Sequence, residues 1–78
     1  MRNLGEINHP ACKISLFAWN NKFIVKFEQG LVEQTLKFES LEFDGGETEL
    51  RRRLTDDFIL NVIENFKDLH LLREKFLQ

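Results

Sequence analysis

The sequence has no tyrosine, and proline, cysteine, methionine and tryptophan occur once each. Each scarcity excludes something. A lone cysteine cannot form an internal disulfide, so no covalent staple ties the chain together. His9 and Cys12 stand close in sequence but His70 lies far along the chain, and zinc takes about four ligands, or three with a water. No metal and no cofactor is expected. No run approaches the roughly 20 apolar residues of a membrane-spanning helix, and the opening MRNLGEINHP has no apolar stretch of the secretory kind. A free thiol fits a reducing compartment, so the expected location is the cytoplasm, with no membrane partner. A dominant charge is lacking too. Eleven Lys and Arg against 13 Asp and Glu leave −2, which gives the whole molecule no attraction for nucleic acid or anionic lipid.

Phenylalanine is abundant: eight in 78 residues. It brings large apolar area with no polar atom to satisfy, which suits a chain near the lower size limit for an unaided core. The whole chain, residues 1–78, is read as a single small α+β domain.

Residues 12–28, CKISLFAWNNKFIVKFE, read as a two-stranded hairpin. Asn tolerates positive φ, so Asn20-Asn21 suits a two-residue type I′ turn. The register follows: Trp19 faces Lys22, Ala18 faces Phe23, Phe17 faces Ile24, Leu16 faces Val25, Ile14 faces Phe27 and Lys13 faces Glu28. Side chains alternate along a strand, so Cys12, Ile14, Leu16, Ala18, Phe23, Val25 and Phe27 share one wholly apolar face. A one-residue slip would scatter that set. With Gln29-Gly30 as a second turn, a third strand over residues 31–39 sets Val32 opposite Phe27, Glu33 opposite Lys26, Gln34 opposite Val25 and Leu36 opposite Phe23. Gln34 is the misfit on the apolar face, explained by a place at the sheet's edge or a bond to a loop. Before the hairpin, Leu4 and Ile7 are candidates to pack at the sheet's edge, and Asn8-His9-Pro10 is a turn or a strand entry.

Past the sheet, Leu41 and Phe43 suit a short extended piece ended by Asp44-Gly45-Gly46. Thr48 is a candidate N-cap for a short helix over residues 48–54. Thr55-Asp56-Asp57 is a second start signal, for a main helix over residues 56–76. One bent helix is the alternative. Phe58, Ile59, Val62, Ile63, Phe66, Leu69 and Phe76 form its apolar stripe, with Leu72 at the margin. The expected fold is a three-stranded antiparallel β-meander packed on a C-terminal α-helix, with a short helix before it.

No residue pattern supports catalysis. Asp44-Gly45-Gly46-Glu47-Thr48 precedes a helix but lacks a phosphate-binding fingerprint and carries its own negative charge. Arg51-Arg52-Arg53 is the one basic run; successive helical positions diverge, and Glu47, Glu49, Asp56 and Asp57 flank it, so local ion pairs are expected. Cys12 points at the core face, where a thiol acts as a small hydrophobe. The candidate interaction surface is the sheet's second face, with Phe17, Trp19 and Ile24 among Lys13, Lys22, Lys26 and Lys37, and the outward helix positions Leu60 and Leu71.

The segment GEINHPACKISLFAWNNKFIVKFEQGLVEQTLKF resembles a small uncharacterised family of bacterial hypothetical proteins, most particularly through Gly5-Glu6-Ile7-Asn8, Phe17-Ala18-Trp19-Asn20-Asn21-Lys22 and Glu33-Gln34-Thr35. The resemblance covers the first half of the chain and implies a bacterial source, but no activity or functional residue. The leading functional expectation is a non-enzymatic protein-interaction module that self-associates as a homodimer; binding to another protein competes with it. The alternative is a small single-stranded nucleic-acid binder, since lysines interleaved with aromatics on an open sheet combine stacking with phosphate attraction. No small-molecule partner is implied.

Overall fold

Four strands, not three, build the sheet in the computed structural model, which describes residues 1–78. They are β1 (Arg2–Asn8), β2 (Lys13–Trp19), β3 (Lys22–Gln29) and β4 (Val32–Glu39), antiparallel in the order β1-β2-β3-β4. A 3-10 turn over Ser40–Glu42 leads to α1 (Gly46–Arg52) and α2 (Asp56–Leu77). No helix is long and apolar enough to cross a membrane.

The extra strand escaped the sequence pattern for a physical reason. Leu4 and Ile7 are an odd number of residues apart, which in a regular strand puts them on opposite faces. A bulge resolves this. The pairing of β1 with β2 passes from Asn3–Phe17 to Gly5–Leu16, leaving Leu4 as the additional residue. Gly5 takes φ 108°, open to glycine at little cost. Both Leu4 and Ile7 then pack against the core.

The β2–β3 hairpin forms as its sequence dictates. Asn20 and Asn21 have φ of 53° and 61°, and the pairs run from Lys13–Glu28 to Trp19–Lys22. Lys13 nonetheless makes its ion pair with Glu6 of β1, at 3.3 Å, rather than with Glu28. The next turn differs from the expected one. Its central residues are Gly30-Leu31, not Gln29-Gly30, so Gln29 pairs with Val32. Gly30 has φ 59° and occupies the first central position, where a two-residue turn with glycine first matches the twist of the strands. The register therefore moves by two residues: Phe27 faces Gln34, Lys26 faces Thr35, Val25 faces Leu36 and Phe23 faces Phe38. An even shift keeps every side chain on its face. It also sets Glu28 opposite Glu33, and Lys26 relieves that repulsion by lying 3.8 Å and 3.4 Å from the two carboxylates.

The helices stand on the face carrying Ile14, Leu16, Val25 and Phe27, all buried. There are two helices rather than one bent one. Thr55 caps α2, its Oγ1 accepting the Phe58 N–H at 3.2 Å. α1 starts earlier than Thr48; Gly45, at φ 105°, is its N-cap, and Thr48 lies exposed within it. Residues 40–42 coil into the 3-10 turn instead of extending, which leaves Leu41 in solvent and drives Phe43 inward. Phe43 meets Phe23 and Phe38 edge to face, with centroids 5.9 Å and 5.2 Å away. Gln34 sits on the edge strand and bonds to a helix rather than a loop: its Nε2 donates to the Val62 carbonyl at 2.9 Å.

From α2, Ile59, Val62 and Phe66 are buried and Phe58, Ile63 and Leu69 pack beside them. Phe76 belongs to the same stripe but not to the core; it is 89 % exposed, because α2 runs on after its contacts with the sheet end. Replacing Phe66 by Ala should cost about 3–5 kcal/mol in urea unfolding, whereas Phe76→Ala should stay within about 0.5 kcal/mol at monomeric concentrations.

Candidate interaction surface

The sheet face away from the helices has no second layer. β1 is an in-plane strand and Phe43 turns to the core, so neither the N-terminal segment nor the loop at 40–46 covers it. Strand alternation sets Phe17, Trp19, Lys22, Ile24, Lys26 and Lys37 there, as expected from the sequence. Their exposures differ. Trp19 is 54 % exposed and Phe17 half-buried, but Ile24 is buried at 7 %. Ile24 lies in an inner strand with Phe17 opposite on one side and Lys37 on the other, so its neighbours' stems close over it. The apolar patch is therefore Trp19 with the rim of Phe17, smaller than three open side chains.

The charges on this face largely cancel. Lys13 pairs with Glu6, and Lys26 with Glu28 and Glu33. Lys22 faces Glu39 across the strands, and Lys37 faces Ile24. Lys22 and Lys37 are the two lysines of this face with no carboxylate within ion-pair distance. A phosphate backbone would meet glutamate as often as lysine.

On α2, Leu60 and Leu71 are 58 % and 61 % exposed. Eleven residues apart, they align on one line of the helix. They do not adjoin the sheet's open face, so the structure does not bring the sequence-derived surface together as one site. It exposes apolar side chains that periodicity had assigned to the core or its margin, Leu36, Leu72 and Phe76, and with them Leu77. Leu36 lies on the edge strand, and the length of α2 against that of the sheet accounts for Phe76 and Leu77.

The remaining polar groups are engaged locally. Arg51 donates to Glu47 at 3.0 Å and to the Leu4 carbonyl, tying α1 to β1. Arg52 and Arg53 converge on Glu49, at 2.6 Å and 2.9 Å. Arg53 also lies over the Phe43 ring, 5.4 Å from its centroid. His70 Nε2 donates to Gln29 Oε1 at 2.8 Å, and Gln29 Nε2 donates to the Ala11 carbonyl at 2.9 Å. This relay joins α2, the end of β3 and the β1–β2 connection. The Cys12 thiol is buried, and desolvation pushes its pKa up, the opposite of an activated nucleophile. No three His, Cys, Asp or Glu side chains gather closely enough to hold a metal ion. An apolar cleft of about 270 Å³ lies under β3 and β4, between Leu36, Phe38, Leu54 and Phe58, with Arg53 as its polar member. Compared with protein-family models, curated proteins and solved structures, the chain matches none.

Glu49 is held at a pKa of about 2, first by its hydrogen bond from Arg52 and then by that from Arg53. What covers this carboxylate is the two guanidinium groups themselves, so water screens the cluster and its effect on stability is small. The sign is that of a depressed acid: the contribution is present above the ordinary glutamate range and is lost as pH falls toward 2. A carboxyl-carbon NMR titration should give Glu49 a midpoint near 2, and the Arg52→Ala, Arg53→Ala pair should return it toward the ordinary range.

Proposed function

We propose that this chain is a non-enzymatic protein-interaction module that works as a homodimer. The observation that supports this most is the second half of α2. Its buried residues, Ile59, Val62 and Phe66, all lie in the first half. Every residue from Leu71 to Gln78 is exposed, including Leu71, Leu72, Phe76 and Leu77. Exposed apolar groups in such a cluster mark contact surfaces. An isolated helix end of this kind also frays in water, because helices gain most of their stability from packing. Thirteen of 78 residues are buried in one copy, and no disulfide supplements that core. Contact between copies would add the missing burial by mass action.

Single-stranded nucleic acid is the weaker reading. Trp19 is open for stacking, but Glu6, Glu28, Glu33 and Glu39 alternate with the lysines on the same face. Catalysis finds no support either, since the shifted titrating groups are a buried thiol and a surface ion cluster.

Light scattering coupled to gel filtration, from micromolar to millimolar protein, should give twice the chain mass at the upper end and a fall on dilution. A strictly monomeric mass at millimolar concentration would remove the reading.

A further inference from the structure

The two edges of the sheet are treated differently. β1 is interrupted as a template for another strand. Its bulge breaks the ladder at Asn3/Gly5, the Gly5 N–H bonds the Asn3 side chain at 2.7 Å, and the Leu4 carbonyl accepts from Arg51. Bulges and occupied backbone groups are how native sheets blunt an edge. β4 has none of these. Its pairing with β3 is regular over eight residues, and it contains no proline or glycine.

The hairpin geometry identifies which of its groups are free. In a two-residue hairpin the residues flanking the turn, Gln29 and Val32, exchange both hydrogen bonds, and bonded pairs recur at every second residue. Val32, Gln34, Leu36 and Phe38 therefore bond to β3. The N–H and C=O of Glu33, Thr35 and Lys37 point out of the sheet. Glu39 also points outward, but its N–H is taken by the Glu42 carboxylate at 2.9 Å. No side chain or turn occupies the outward groups of Glu33, Thr35 or Lys37. The free window is Glu33 to Lys37, and Thr35 is its centre.

We propose that the β4 edge is the dimer interface and that its occupant is the β4 edge of a second copy. The two strands run antiparallel about a twofold axis at Thr35, joining two sheets into one of eight strands. This rests on the homodimer reading and adds the surface. The argument is complementarity. In that register Thr35 bonds Thr35 of the other copy, and Glu33 pairs with Lys37 twice over. Lys37 is a lysine without a carboxylate in the single copy, and the pairing supplies one. A slip that sets Lys37 opposite Thr35 sets Glu33 opposite Glu39 twice, and the opposite slip leaves Lys37 facing the Leu31 turn. Like charges directly opposite are destabilising and opposite charges and Thr–Thr pairs favourable, so one register is selected. A twofold contact requires such self-complementarity.

The layer beneath fits the same axis. On the helix side of β4, Leu36 is 38 % exposed, beside a notch shared with Leu69 and Leu72 of α2. A twofold perpendicular to the sheet places both α2 helices on one side, antiparallel, and Leu36 of each copy opposite Gln34 of the other. Main-chain pairing supplies affinity and this apolar strip the burial, as in other strand additions.

Charge exchange tests the interface. Lys37→Glu sets a carboxylate against Glu33 twice, and Glu33→Lys sets an ammonium against Lys37 twice. Each variant should raise the dimer dissociation constant at least about tenfold, read by scattering against concentration. Mixing the two variants should restore association, because one copy then presents two carboxylates to the two ammonium groups of the other. The double exchange in one chain should dimerise again. Far-UV circular dichroism confirms that each variant is folded. Arg2→Ser, exposed on the opposite edge strand, should leave association unchanged. If the native chain dimerises but charge exchange has no effect, or mixing gives no rescue, this interface is wrong while the homodimer reading stands. A native chain that is monomeric at millimolar concentration overturns both.

Discussion

Four strands spaced about 4.8 Å apart make a sheet roughly twice as wide as one helix, which is about 10 Å across with its side chains. α2 can cover part of the apolar face and something else must cover the rest. That geometric shortfall accounts for the segment between β4 and α2. Phe43 enters against Phe23 and Phe38, Leu50 of α1 is buried beside them, and Arg51 reaches across to the Leu4 carbonyl of β1. The glycines at 45 and 46, with φ of 105° and 64°, let the chain reverse and start α1 over the sheet instead of running off it.

The position of α2 is set by polar bonds at two points. Gln34 donates to the Val62 carbonyl from the edge strand, and His70 holds Gln29, which holds Ala11. All are satisfied, and no buried side-chain nitrogen or oxygen lacks a partner. Apolar burial is non-directional, so it would tolerate the helix sliding along the sheet; these bonds would be lost if it did. They fix α2 with His70 near the Gly30 turn, at the end of the sheet. The residues after His70 therefore project past the strands. An apolar end is thus a consequence of where the helix is pinned, given its length of 22 residues.

Much of this was legible in the chain. Asn20-Asn21 and the alternation around it specify the β2–β3 register pair by pair, because a two-residue turn and one apolar face leave no freedom. Thr55 marked the start of α2. What could not be read shares one cause: it depends on geometry beyond a single element. The bulge at Leu4 needs β2 beside it before the odd spacing of Leu4 and Ile7 makes sense. Gly30 is compatible with either turn position until Gln29 is required as a strand residue bonded to Ala11 and His70. Phe76 has the same helical phase as Phe58, and only the end of the sheet separates a packed ring from an exposed one. The open face was overestimated for the reverse reason. Ile24 alternates with the outward set, yet a central strand is covered by its own neighbours.

An edge strand with free backbone groups is a hazard as well as an opportunity, since any extended chain can add to it. Here the hazard is limited by the residues that give the edge its specificity. Lys37 and Glu33 flank the free window, and a neutral apolar strand laid there would leave Lys37 unpaired and set apolar side chains beside the Glu33 carboxylate, which Lys26 approaches from the other side. Only an antiparallel strand with a carboxylate and an ammonium at matching positions answers both. The spacing of Glu33 and Lys37 about Thr35 means that the chain itself carries that strand. β1 also carries opposite charges four residues apart, Arg2 and Glu6, but the bulge breaks the ladder between them and Arg51 takes the Leu4 carbonyl. In the proposed dimer the bulged edge stays out of the contact, the other edge pairs in a single register, and the notch between β4 and α2 gains cover that one copy lacks.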